Sequence, residues 1–203
     1  DALVGSVTVS DHCVEVGTDV GPISADRALL ATGAFSGHGD TPLVGLDVDY
    51  ALHTQLYVAL DSDEADRLSG MPSIIAKHAD PTGDFYLTPP VPDPVRPGHH
   101  VLKIGMPQDD HVRVSAADLS AWYRTDGDPA VAARLDGMVR GLLPGLRWTG
   151  RWTGSCVTTY TPTGHPAIDW VGPGVHAGAE RIACCVGGNG YAAKCAPALG
   201  GLA

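Results

Sequence analysis

Positive charge is scarce in this chain: 13 lysines and arginines stand against 23 acids in 203 residues, a formal net charge of −10. A phosphate-backbone partner needs basic side chains clustered on one face, so nucleic acid is not expected to bind. No apolar run approaches the roughly 20 residues that cross a bilayer, and no basic segment leads into an apolar one at the N-terminus. A soluble, unsecreted, cytoplasmic protein without a membrane partner is the expectation. Cysteine is present in an odd number, at positions 13, 156, 184, 185 and 195, with no C-x-x-C pair. That pattern fits neither a disulfide framework nor a zinc site, and suits a reducing compartment. The histidines are scattered, and His99-His100 has no partner at ligand spacing, so no metal is expected. Neither a Walker lysine motif nor a G-x-G-x-x-G after an N-terminal strand is present. The doubled RWTG at 147–154 is too short to be a structural repeat.

What remains is a chain of ordinary globular composition, 44% hydrophobic and 18% charged, long enough to bury a sizeable core. It opens on Asp1 and closes on "APALGGLA" just as a helix begins, so a piece of a longer protein is expected. "ALVGSVTV" and "HCVEV" read as short strands around the turn-forming Ser10-Asp11, and "DRALLATGA" as a buried strand. In "DVDYALHTQLYVAL", Val48, Tyr50, Leu52, Leu56, Val58 and Leu60 alternate with Asp49, His53, Gln55 and Tyr57, which predicts a long strand with one buried face. Asp61 and Glu64 form a capping-box pattern for a short helix through Leu68. Strands are expected at "SIIAKH", "DFYLT" and "HVLKIG", with the proline-rich "PPVPDPVRPG" as the loop of a wide hairpin. Ser115 and Asp118 start one helix, and Asp128-Pro129 cap another running to Leu143. "SCVTTYT" and "RIACCV" then return the chain to a sheet. The order of strands, helices and strands predicts an α+β fold with a mixed, largely antiparallel sheet and helices on one side.

Three stretches could carry chemistry. In "CVGGNGYAAK" a strand runs into glycines and then toward a helix. Such a turn presents backbone N–H groups to an anionic or electron-rich ligand, or is simply a tight strand-to-helix connection. Lys103 in "HVLKIG" shares a strand face with Val101, and an ammonium there faces either solvent or a cavity. Cys156 is either a small buried hydrophobe or a nucleophile with His165 as base and Asp169 as orienter. The latter makes a cysteine hydrolase one alternative function, and a noncatalytic small-molecule-binding module is another.

Taken in order, "LLATGAF", "FYLTPP", "HVLKIG", "SCVTTYTPTGHPAID" and "GGNGYAAKCAPALG" resemble the C-terminal two thirds of FAD-dependent amine oxidoreductases. The likeness is to the sarcosine oxidase-like branch of the D-amino-acid/glycine oxidase superfamily. It implies residues 1–40 as the returning segment of an FAD domain and 41–150 as a substrate domain. Residues 151–203 would then hold flavin-contacting strands, a glycine loop and the start of the C-terminal helix, the nucleotide-binding half being absent. It further implies that Thr32 and Gly33 pack beside FAD, and that Gly188, Asn189, Gly190 and Tyr191 form a loop over the flavin. Cys156 matches the position of a covalent thioether, Lys103 the lysine that activates oxygen, Tyr86 an active-site tyrosine, and Lys194 a residue holding a substrate carboxylate. The implied reaction is oxidation of the C–N bond of an amino acid or N-alkyl amino acid by hydride transfer, with oxygen as acceptor. Relatives often carry a tyrosine where this chain has Thr158, and a histidine where Met106-Pro107 follows "LKIG"; the segment from Gly190 to Lys194 is two residues longer.

Overall fold

The computed structural model describes residues 2–10, 12–79, 83–107, 112–171 and 180–203. The chain divides into two compact units, the first made of Asp1–Tyr50, His111–Leu119 and Thr158–Ala203, the second of Ala51–Asp110 and Ser120–Val157. The architecture is α+β, with three sheets and four short helices among the described residues.

In the first unit, β1 (Val4–Val9), β2 (Val14–Thr18) and β3 (Ile23–Ala25) form an antiparallel meander. Ser10 closes its first turn by accepting the Cys13 N–H at 3.1 Å, the local bond that favours serine in turns. A second sheet has β4 (Ala28–Leu30) parallel to β11 (Ile182–Val186), with β10 (Ala167–Trp170) antiparallel on the far side of β11. Val7, Val14, Leu30, Leu43, Ile182, Cys184 and Val186 form this unit's core.

The second unit is built on a five-stranded sheet in the order β6-β7-β8-β5-β9. Its strands are β5 (Asp49–Leu60), β6 (Ile74–Ala76), β7 (Phe85–Pro92), β8 (His100–Pro107) and β9 (Gly150–Tyr160). Two of them, β5 and β9, continue across the division between units. Helix α3 (Pro129–Leu142) covers one face of the sheet with Val131, Leu135 and Val139, spaced four residues apart on one stripe. Asp128 caps it by accepting the Ala130 and Val131 N–H groups at 2.7 and 3.0 Å. Helix α2 (Ala116–Trp122) precedes it, and α4 (Ala196–Leu202) ends the chain.

Several local expectations differ from the structure, the first being the buried strand at "DRALLATGA", which is the three-residue β4 with Leu29 exposed. Strand β5 is buried on both faces: Leu56, Val58 and Leu60 enter the helix-covered core, yet Ala51, Gln55 and Ala59 opposite them are also buried, at 2, 7 and 2% exposure. The cause is its place inside the sheet, between β8 and β9, under aromatic side chains on the second face. Pro89 and Pro90 lie within β7 rather than in a loop. They sit at a register shift between Thr88 and Val91 and beyond the Phe85–Leu87 stretch that β6 pairs, so their missing N–H groups leave no ladder bond broken. Helix α1 (Ser62–Arg67) has only half of a capping box: Asp61 accepts the Glu64 N–H at 2.8 Å, but the Glu64 carboxylate turns to Arg67 instead.

Candidate functional site

The second face of the five-stranded sheet gathers a polar and aromatic set, opposite the apolar face that α3 covers. Register places Tyr57 opposite Lys103 and Gln55 opposite Gly105 across β5 and β8, then Lys103 opposite Thr88 and Gly105 opposite Tyr86 across β8 and β7. Side chains of a pleated strand alternate, so Gln55, Tyr57, Tyr86, Thr88 and Lys103 share one face. A Cβ built on Gly154 would lie 3.5 Å from the Tyr57 ring, which puts Trp152, Gly154 and Cys156 of β9 on that face too.

The contacts within the set are specific. Lys103 Nζ lies 5.3 Å from the centroid of the Tyr86 ring, within cation–π range. Gln55 Nε2 donates to the Tyr86 hydroxyl at 2.8 Å, and the Tyr57 hydroxyl donates to Gln55 Oε1. Tyr57 stacks on Trp152 with ring centroids 5.4 Å apart, and Arg96 lies 4.4 Å over the other ring of that stack, tied to Asp93 at 2.7 Å. Trp122 Nε1 donates to the Cys156 carbonyl at 3.0 Å. Tyr86 can lie flat against β8 only because residue 105 is glycine: a Cβ there would be 2.4 Å from its hydroxyl.

Burial pushes the Tyr86 phenol well above the ordinary tyrosine range, Gln55's bond acts in the opposite sense, and Cys156 and Tyr57 push it further up. Tyr57 is raised by burial and then by Cys156. Tyr86 is therefore a protonated hydroxyl at neutral pH, able to donate. Lys103 is half-buried and has no ion pair among the described residues.

In the first unit, β4 and β11 run parallel, so the segments that follow them leave the sheet at the same edge. Thr32 and Gly33 follow β4; Gly187 through Tyr191 follow β11. The carboxyl ends of parallel strands are where open sheets receive ligands. Gly33 begins a short 3₁₀ turn (Gly33–Phe35) at φ 56° and is exposed, and Gly190 is exposed at φ 74°. Thr32 is exposed, its hydroxyl 3.0 Å from that of Ser36. Asn189 is buried at 7% exposure with φ 48°, and its side chain ties the loop to Thr161. Its Oδ1 accepts the Thr161 N–H at 3.0 Å and its Nδ2 donates to the Gly187 carbonyl. The Tyr191 hydroxyl donates to the Gly164 carbonyl. Lys194 is exposed in the 3₁₀ turn Ala192–Cys195.

The structure thus brings Lys103, Tyr86 and Cys156 onto one face of the second unit. It brings Thr32 and Gly33 to one sheet edge with Gly188, Asn189, Gly190 and Tyr191 in the first. His165 and Asp169 are not paired: His165 Nδ1 lies 3.4 Å from the Tyr191 hydroxyl, and Asp169 accepts the Trp170 N–H at 2.8 Å. Gln55, Tyr57 and Trp152 carry no motif in the sequence that marks them as site residues. The available signal was Gln55 and Tyr57 as consecutive members of the non-apolar set of one strand, and the structure makes that set an interior face. Among the described residues no three histidine, cysteine or acidic side chains cluster to hold a metal, and no helix is long and apolar enough to cross a membrane.

Several solved structures share this fold. Glycine oxidase from Geobacillus kaustophilus superposes with a TM-score of 0.57 at 17% identity, over 99% of this chain and 46% of that one. Fructosamine oxidase from Aspergillus fumigatus gives 0.64 at 17% identity, over 98 and 46%. Iminodiacetate oxidase from Chelativorans sp. BNC1 gives 0.53 at 16% identity, over 100 and 48%. The chain therefore spans a little under half the length of each. No curated protein sequence matches the chain. The model of the DAO family, FAD dependent oxidoreductase, matches residues 3–203. With nearly its whole length inside that match, and the fold of three oxidases in its two units, the chain belongs to the family of FAD-dependent oxidoreductases.

Proposed function

We propose that the protein is an oxidase of the sarcosine oxidase-like branch. It removes a hydride from the carbon beside the amine nitrogen of an amino acid or N-alkyl amino acid, with oxygen as final acceptor. The observation that carries this reading is Lys103: a half-buried ammonium over the Tyr86 ring, on an aromatic and polar sheet face, without a carboxylate partner among the described residues. An unpaired ammonium is costly away from water, and such a group belongs where negative charge must be met. A new unit charge about 4 Å from it is stabilised by ~4 kcal/mol at an effective dielectric of about 20, which is roughly three orders of magnitude in rate.

FAD supplies the two-electron acceptor when bound. The residues present fit such a group: Gly33 and Gly190 keep exposed backbone at the carboxyl edge of the parallel pair, and a Cβ on Gly33 would meet nothing within 4 Å. Thr32, Gly33, Gly188, Asn189, Gly190 and Tyr191 are proposed to hold it, Asn189 and Tyr191 by shaping the loop. Cys156, half-buried and within electrostatic reach of the Tyr57, Tyr86 and Tyr123 phenols, is the proposed thioether attachment. Lys194, an exposed cation following that loop, is proposed to hold the substrate carboxylate, and Tyr86 to donate a hydrogen bond to bound substrate. Residues 41–150 are proposed as the substrate domain, and the cytoplasm as the compartment, where its five free thiols stay reduced.

The test is the colour of the full-length protein. It should purify yellow, keep its colour in the acid-precipitated protein, and lose that colour to the supernatant in Cys156→Ala. A protein that stays colourless after incubation with FAD contradicts the whole reading; colour released by acid from the unsubstituted protein contradicts only the thioether.

A further inference from the structure

Gln55 is held almost wholly inside the sheet face, at 7% exposure, where a primary amide must satisfy both its ends. It does so between two phenols: Oε1 accepts the Tyr57 hydroxyl, and Nε2 donates to the Tyr86 oxygen at 2.8 Å. A phenol has one hydrogen to give. Tyr57 gives its own to the amide, whereas Tyr86 receives one and keeps its own unspent: among the described residues no acceptor takes the Tyr86 hydroxyl hydrogen.

We propose that Gln55 is a positioning residue that makes Tyr86 an outward donor, turning its hydroxyl hydrogen away from the sheet toward an electron-rich oxygen of the bound substrate. The inference rests on the reading of this face as the substrate side. Three further features fix the arrangement. Gly105 lets the Tyr86 ring lie against β8 within reach of the amide. The stack of Tyr57 on Trp152, closed by Arg96, holds the other phenol in place. The Lys103 ammonium over the ring adds positive potential, so an anionic oxygen is the acceptor this pair of donors suits. The sense of the relay follows from the amide orientation: turned over, the amide would accept from Tyr86 and donate to Tyr57, and Tyr57 would become the outward donor.

The experiment uses the FAD-loaded full-length protein and sodium acetate, a carboxylate without an amine, with binding measured by calorimetry. Tyr86→Phe should weaken acetate by ~10-fold, the loss of one hydrogen bond to a charged group. Gln55→Met, neutral and of similar length, should weaken it by ~3-fold to ~10-fold in the unsubstituted background and by nothing further in Tyr86→Phe, because Gln55 acts only through that hydroxyl. Should Gln55→Met fail to fold, Gln55→Glu serves: its carboxylate accepts from both phenols, so it should weaken acetate more in the unsubstituted background than in Tyr86→Phe. Equal losses in both backgrounds would mean a structural or charge effect and overturn the proposal. So would a larger loss in Tyr57→Phe than in Tyr86→Phe, with the substrate-side reading left standing. Unchanged acetate affinity in Tyr86→Phe would overturn the relay and the substrate-side reading together.

Discussion

Gly105→Ala is the sharpest perturbation of the sheet face, because its effect can be worked from distances. The added methyl would sit 2.4 Å from the Tyr86 hydroxyl, 2.5 Å from Cζ and 2.9 Å from Cε1. Non-bonded carbons rest at about 3.5–4.0 Å, so the ring must withdraw by roughly 1 Å. That motion lengthens the 2.8 Å bond from Gln55 past hydrogen-bonding range. Overpacking costs ~1–3 kcal/mol and the lost bond about 1 kcal/mol. Replacing a strand glycine returns about 0.5–1 kcal/mol, leaving a net loss of roughly 1–3 kcal/mol. Urea unfolding at equilibrium measures it. Gly154→Ala is the control on the same face, since its nearest neighbour is the Tyr57 ring at an ordinary 3.5 Å, and it should be neutral or stabilising. In a Tyr86→Ala background Gly105→Ala should also cost nothing. A Gly105→Ala penalty that persists in that background, or no penalty in the unsubstituted protein, refutes the reasoning.

Other outcomes follow from the same structure. Glu64 is fully buried between Arg67 and Arg147, and the hydrogen bond from Arg67 is the main cause that lowers its pKa from 4.5 to about 2. Its stabilisation is complete above about pH 4.5 and fades as pH falls toward about 2, so Glu64→Gln should flatten the stability profile in that window. At neutral pH the same substitution should cost ~2–3 kcal/mol, below the usual buried-pair penalty because both guanidinium partners stay half in water. His53 is lowered from 6.5 to about 4, by burial first and Lys77 second. The unfolded chain then takes up a proton that the folded one refuses, so stability should drop between about pH 6.5 and 4, and His53→Phe should remove that slope in acid titrations followed by fluorescence. Leu135→Ala, at the fully buried centre of the α3 stripe, should cost ~2–5 kcal/mol by thermal or urea unfolding.

Local signals carried much of the fold into the sequence. Asp128-Pro129 announced α3 because a cap and a first-turn proline act within one turn of chain, and Asp61 announced α1 for the same reason. Periodicity found β5 but described only one of its faces, since whether the other face is covered depends on strands that arrive 40 and 90 residues later in sequence. That is why Gln55 and Tyr57 read as solvent-facing. The prolines of β7 read as loop because the bulge that admits them is a property of pairing with β8. Strand β10 is not legible in the sequence because its four residues alternate too briefly to stand out. Family resemblance points to Lys103, Tyr86 and Cys156 in the sequence, and only register shows that they share a face. The structure puts Lys194 on an exposed turn, outside the face that Lys103, Tyr86 and Cys156 share.

The most direct test of the account is the oxygen reaction of Lys103→Met in the FAD-loaded full-length protein, followed by stopped-flow absorbance. Reoxidation by oxygen should slow by ~10²–10³-fold, while anaerobic reduction by substrate changes by less than about tenfold. Reoxidation at the unsubstituted rate would contradict the assignment of that ammonium, and with it the observation on which the proposed function rests.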